Sequence, residues 1–260
     1  MRARHFLSAI LWIFLSVAAT AVAQNPFAGT WKLNQEKSQL AGDTMKFGPA
    51  KEDAIELVAG GMTYSFRTDG KNYAMPTGDV AIWRQTDPDS WTTEYRTTNG
   101  KLLSSDNWKL SADGKGLTVI SSGVRANGDL YTDTADYVRT DGTEGLIGGW
   151  KSTTVKLSSP RELIIQESGL DALLFKIPAS KVSCQATLDG KEAVVQGPDI
   201  PAGLRISLTR TGPYGLQLVE KLNGNAVYSS VYTVAGDGKT MTEVGGAPGD
   251  PPAILSWEKQ

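Results

Sequence analysis

Alternation of apolar and polar side chains dominates this chain. Trp91-Thr92-Thr93-Glu94-Tyr95-Arg96-Thr97 sets aromatic or threonine side chains against polar ones, and Leu204-Arg205-Ile206-Ser207-Leu208-Thr209 does the same with aliphatics. A period of two puts one set on a buried face and the other in solvent, as in a half-buried β-strand. Asp-Gly or Asn-Gly pairs at 69–70, 99–100, 113–114, 127–128, 189–190, 223–224 and 237–238 separate such runs. They supply the positive φ angles that tight hairpin turns demand. Ala59-Gly60-Gly61, between Ile55-Glu56-Leu57 and Tyr64-Ser65-Phe66, predicts another hairpin. No stretch sustains a 3.6-residue apolar stripe; only Gln35 to Leu40 and Gln166 to Leu174 leave room for a short helix. The pattern predicts an all-β protein.

The pattern also occurs twice. Gly29-Thr30-Trp31-Lys32 returns as Gly148-Gly149-Trp150-Lys151, and Asp69-Gly70-Lys71 as Asp189-Gly190-Lys191. Asn99-Gly100 and Asp113-Gly114-Lys115 return as Asn223-Gly224 and Asp237-Gly238-Lys239, and Tyr137-Val138-Arg139 corresponds to Trp257-Glu258-Lys259. Five landmarks in one order, at an offset of about 120 residues, mark a tandem duplication of a whole domain rather than a solenoid repeat. The polar, turn-forming stretch from Thr140 to Gly145 divides the copies. About eight strands per copy, joined by nearest-neighbour hairpins, favour an up-and-down barrel over a sandwich, because closure removes exposed edges. The expected organisation is a segment 1–23, barrel 1 over 24–140, a linker 141–145 and barrel 2 over 146–260.

Residues 1–23 read as a secretory signal peptide. Arg2, Arg4 and His5 precede an apolar run from Phe6 to Val17, and Ala21-Val22-Ala23 forms an A-x-A boundary before Gln24. The run is shorter than the roughly 20 residues that cross a bilayer, so cleavage after Ala23 is expected, with no membrane insertion afterwards and a periplasmic or secreted location. Removing two Arg and no acidic residue takes the net charge from −2 to −4. That mild acidity offers no footprint for nucleic acid. The chain has one histidine, His5, and one cysteine, Cys184. These counts exclude histidine-bearing triads, histidine metal sites and intramolecular disulfides. Cys184 reads as a small interior strand residue, with no histidine to activate it.

The run Asn25-Pro26-Phe27-Ala28-Gly29-Thr30-Trp31-Lys32-Leu33-Asn34, with Lys37-Ser38, the D-G-K turns and the closing Tyr/Trp-x-x-Arg/Lys strands, resembles bacterial secreted lipocalin-like domains of the calycin superfamily. The resemblance covers both copies; Lys151-Ser152-Thr153-Thr154 departs from it most. It implies two tandem antiparallel up-and-down barrels, each with a first-strand Trp plugging its closed end under a cation from its last strand. Carried over, Arg139 covers Trp31 and Lys259 covers Trp150, by cation–π contact. It further implies a cup for a small apolar or amphipathic molecule.

Aligning the copies at an offset of 124 places Val80, Ile82, Arg84 and Thr86 opposite Leu204, Ile206, Leu208 and Arg210. The same offset places Leu102, Ser104, Asp106, Trp108 and Leu110 opposite Ala226, Tyr228, Ser230, Tyr232 and Val234. If these sets face inward, barrel 2 has a filled core of aliphatics and tyrosines. Barrel 1 then turns Arg84, Ser104 and Asp106 inward among Tyr64, Tyr95 and Trp108, the candidate ligand site. Arg84 there would bind an anionic head group through its bidentate fork. A register one residue different puts Trp83 inside and Arg84 on the surface.

Enzymatic readings have less support. Asp87-Pro88-Asp89 reads as a turn, Asp129, Asp133 and Asp136 as turn or solvent-facing positions, and no D-x-D-x-D-G calcium loop, G-x-S-x-G elbow or P-loop occurs. The sequence therefore points to a non-catalytic binder with no metal or cofactor and a ligand in barrel 1. The alternative is a cell-envelope structural or protein-interaction module with both barrels filled.

Overall fold

The computed structural model describes residues 25–260 apart from 143, 159, 160 and 199, so the signal segment expected at 1–23 lies outside the described residues. The chain forms strands β1 (Gly29–Gln39), β2 (Thr44–Pro49), β3 (Ile55–Ala59), β4 (Met62–Phe66), β5 (Asp69–Ala74), β6 (Val80–Asp87), β7 (Ser90–Arg96), β8 (Leu102–Leu110), β9 (Gly116–Val124) and β10 (Leu130–Asp141). There follow β11 (Gly148–Lys156), β12 (Glu162–Glu167), β13 (Ala172–Ile177), β14 (Val182–Thr187), β15 (Asp189–Gln196), β16 (Leu204–Gly212), β17 (Gly215–Leu222), β18 (Asn225–Val234), β19 (Thr240–Gly246) and β20 (Ala253–Lys259). Both stretches with room for a helix are strand and turn: β1 runs to Gln39, and 168–171 is the turn between β12 and β13. Among the described residues no helix is long and apolar enough to cross a membrane.

All pairing is antiparallel, in two barrel-like sheets of ten strands. The sheets do not coincide with the two sequence copies. β12 to β20 close into a barrel through β1, which pairs with β12 on one side and β20 on the other. β2 to β10 take β11 in the corresponding place, between β2 and β10. Each copy has handed its first strand to the other. The crossing segments run side by side: Gln35 accepts from the Leu157 N–H (3.1 Å) and donates to its carbonyl (3.3 Å), while Gly42 N donates to Ser152 Oγ (2.7 Å). Barrel 1 is thus the sheet of β2–β11, and barrel 2 the sheet of β1 and β12–β20.

The exchange corrects the expected plug pairing. The Arg139 guanidinium lies 4.1 Å from the centroid of the Trp150 ring, and Lys259 Nζ lies 5.0 Å from that of Trp31. The cation from each last strand covers the Trp that closes its own sheet, and that Trp comes from the other copy. Both indoles are buried, and their Nε1 atoms donate to carbonyls four residues upstream, Leu146 (2.9 Å) and Phe27 (2.8 Å). The glycine of G-x-W has a steric reason. Gly29 and Gly148 adopt φ of 149° and 134°, and a Cβ at Gly148 would sit 2.0 Å from the Asp141 carbonyl oxygen.

The barrels differ at one seam. In barrel 2, β14 and β15 pair through Ser183–Gln196 and Cys184–Val195. The equivalent β4 and β5 of barrel 1 are the two ends of its sheet, joined by a short turn without ladder pairing. Barrel 1 is therefore rolled but unsealed beside Tyr64 and Tyr73.

Candidate functional site

Strand register assembles the barrel 1 interior. Tyr95, Thr93 and Trp91 on β7 stand opposite Ser104, Asp106 and Trp108 on β8, and Ser121 on β9 stands opposite Asp106. Residues two apart share a face, so these side chains form one inward wall. Its lower part is an aromatic floor. Phe66 stacks on Trp83 with centroids 4.2 Å apart, Trp83 meets Trp108 at 5.0 Å, and Phe47 packs edge-on against both indoles. The floor's polar atoms are satisfied internally: Trp83 Nε1 donates to Tyr64 Oη (3.2 Å) and Trp108 Nε1 to Thr93 Oγ1 (2.9 Å).

Above the floor lies a tyrosine–carboxyl network. Asp106 is 8% exposed. Burial raises its carboxyl above the ordinary Asp range, and hydrogen bonds from Ser121 and Tyr95 oppose that rise. The Tyr95 hydroxyl meets both Asp106 and Tyr64, and burial together with those neighbours pushes it well above the usual tyrosine value. Tyr137, on the facing strand β10, is pushed up to about 12 by burial and by the charges of Asp43 and Asp106. Nearer the open end, Tyr131 interacts with Ser104, and the Arg125 guanidinium lies 4.7 Å from its ring centroid. Tyr95, Ser104, Ser121, Tyr131 and Tyr137 face inward yet are only half-buried.

Five of the expected residues, Tyr64, Tyr95, Ser104, Asp106 and Trp108, thus come together. Arg84 does not. It pairs with Thr92, a residue of the outer face, and its Nη1 meets Glu94 Oε1 at 3.3 Å with 45% of the side chain exposed. The inward position belongs to Trp83, which is 0% exposed and pairs with Thr93. Turning an indole in and a guanidinium out removes a large apolar surface from water and spares the cost of an unpaired buried charge. Asp136 takes an outer-face position, as expected, and accepts from Thr118 Oγ1 (2.7 Å), whereas Asp133 lies half-buried on the inward row of β10 and accepts from Ser158 N (2.8 Å).

No family model, no curated protein and no solved structure matches this chain.

Barrel 2 is not the plain apolar core expected of it. Glu243 on β19 is 4% exposed and faces inward. Its Oε1 accepts from Tyr232 (2.9 Å) and Tyr228 (3.1 Å), and its Oε2 accepts from Trp257 Nε1 (3.1 Å). Burial raises its carboxyl, and these donors partly oppose the rise. A second carboxyl, Glu220, continues the inward row Leu216, Leu218 of β17; burial and the Glu243 charge raise it too. Sequence reasoning missed both. Glu220 lay in view, since Leu216-x-Leu218-x-Glu220-x-Leu222 keeps a period of two with a charge on the apolar face. Cys184 is buried in the same barrel, its thiol pushed up to about 11, far from a reactive thiolate. Among the described residues no group of three or more metal-ligating side chains occurs.

Proposed function

We propose that the protein is an exported, non-catalytic binding protein of lipocalin-like build that holds a small amphipathic molecule in barrel 1. The observation carrying this reading is the Tyr95–Asp106 network, inward-facing and incompletely covered, above an aromatic floor and beside the unpaired β4–β5 seam. Aromatic walls take the apolar part of a ligand, and a few convergent polar groups orient its head. With Arg84 outside, the head group that fits is a hydroxyl or another hydrogen-bond donor for Asp106, in place of the anion expected from sequence.

Titrating fatty alcohols, fatty acids and polyphenols against tryptophan fluorescence tests this. Saturable quenching by hydroxylated ligands is expected. Asp106→Asn or Tyr95→Phe should weaken it about tenfold, the worth of about 1.4 kcal/mol, and Arg84→Ala should leave it unchanged. Sensitivity to Arg84→Ala alone would overturn the reading. Silence across the panel would favour an envelope interaction module. That second reading has its own support in two surface hollows of about 320 and 330 Å³ that flank the glycine- and proline-rich 246–252 loop of barrel 2.

A further inference from the structure

The interior of barrel 2 has more acceptors than donors. The hydroxyls of Tyr228 and Tyr232 and the indole N–H of Trp257 are all directed at Glu243. Among the described residues no donor reaches the Glu220 carboxyl. Ser230 stands between the two tyrosines on the inward face of β18, 2% exposed; its Oγ lies near Glu243 and Tyr232 but reaches neither in good hydrogen-bond geometry. A buried hydroxyl without a well-formed hydrogen bond is uncommon and has capacity for one. Two carboxyls facing one small interior cannot both ionise cheaply without a counter-charge.

Register fixes their relative places. Glu220 pairs with Tyr228, and Leu218 pairs with Ser230, so the Glu220 carboxyl and the Ser230 hydroxyl are diagonal neighbours on adjacent strands, two residues apart in register. Toward the open end the wall turns apolar, with Leu204, Ile206, Ala253 and Val182 only partly buried against the core.

We propose that barrel 2 binds a primary alkylammonium, with the ammonium between Glu220, Ser230 and Glu243 and the alkyl chain along the apolar collar. A primary ammonium brings the two things Glu220 lacks, a neighbouring positive charge and N–H donors; the charge of Arg161 reaches Tyr228 but not Glu220. A quaternary ammonium brings the charge alone, and an alcohol a single donor. This site is independent of the one in barrel 1.

The test is calorimetric titration of the full-length protein with octylamine, octyltrimethylammonium, octanol and octanoate below their aggregation concentrations. Octylamine should bind saturably, at least about tenfold more tightly than the other three. Glu220→Gln should weaken octylamine about tenfold or more and Ser230→Ala a few-fold, with far-UV circular dichroism unchanged. Asp106→Asn should leave octylamine binding intact, which places the site in barrel 2 and separates this result from failure of the barrel 1 reading. The proposal is overturned if octylamine does not bind, if Glu220→Gln leaves its affinity within about twofold, or if the trimethyl analogue binds as well.

Discussion

Arg139 offers the sharpest test of the strand exchange. Its guanidinium donates to the carbonyls of Gly114 (2.7 Å), Ile147 (2.7 Å) and Gly145 (2.6 Å) while lying 4.1 Å from the Trp150 ring centroid. Charge-assisted hydrogen bonds contribute about 1.5–3 kcal/mol each where water cannot replace them. Arg139 is only partly buried, so some of the freed carbonyls rehydrate, and Arg139→Ala should cost about 3–4 kcal/mol rather than the full total. The part shared with the indole is the cation–π contact, about 1–2 kcal/mol in a partly desolvated setting. A double-mutant cycle isolates it. In thermal or urea unfolding followed by far-UV circular dichroism, Arg139→Ala and Trp150→Leu, which removes the aromatic face, should couple by about that amount. Arg139→Ala and Trp31→Leu should add within about 0.3–0.5 kcal/mol, as independent sites do. Lys259 should couple to Trp31 more weakly, because its ammonium sits 5.0 Å away and no such carbonyl clamp holds it among the described residues. Coupling of Arg139 to Trp31 in place of Trp150 would refute the exchanged topology.

Two further outcomes follow from the same geometry. Burial and Glu243 raise the Glu220 carboxyl in the folded protein, so the folded state keeps that proton to higher pH than the unfolded chain does. Its contribution is therefore neutral below the ordinary Glu range and turns unfavourable as pH climbs through the raised value. Glu220→Gln should match the parent near pH 4 and exceed its Tm near pH 8, at about those values; a Tm difference that does not grow with pH would contradict this. A protease site placed at 142–144 and cut should leave both fragments in one particle of unchanged size on gel filtration, because each supplies an interior strand to the other's sheet. Separation without denaturant would mean that the strands are not exchanged.

Much of this architecture could be read from the chain. Period-two alternation and the Asp-Gly and Asn-Gly turns locate most strands, and the duplicated G-x-W points to two plugged barrels. The exchange could not be read, because β1 pairs with β12 and β20 using the same alternation that would pair it with β2 and β10. Hydrophobic pattern specifies a face, not which of two equivalent partners covers it. The Arg84 error has a similar origin. The offset between copies is 124 at β8, yet Trp83 and Leu208 fill equivalent inward places on β6 and β16, an offset of 125. One residue of drift turned the face over. The competing bulk of Trp83 was the available signal, since an indole beside an arginine takes the interior unless something inside pairs the cation.

The corrected equivalence changes what the two interiors mean. Thr93, Asp106 and Val119 of barrel 1 stand where Leu218, Ser230 and Glu243 stand in barrel 2, and Tyr95 stands where Glu220 does. Each barrel thus keeps a deep carboxyl beside a tyrosine, but on neighbouring strands. In barrel 1 the shallower member is the tyrosine, whose hydroxyl can give its proton to the carboxyl below, so the interior is nearly self-satisfied. In barrel 2 the shallower member is a second acid, and the donors below it are already committed to Glu243. Moving one acid by one strand and replacing a tyrosine with a glutamate converts an interior that suits a neutral hydroxylated guest into one short of a cation. Tyr95→Glu with Asp106→Ser and Val119→Glu in barrel 1 should therefore transfer part of the amine preference to it, and the size of that transfer measures how far polar placement, rather than barrel shape, sets the choice of ligand.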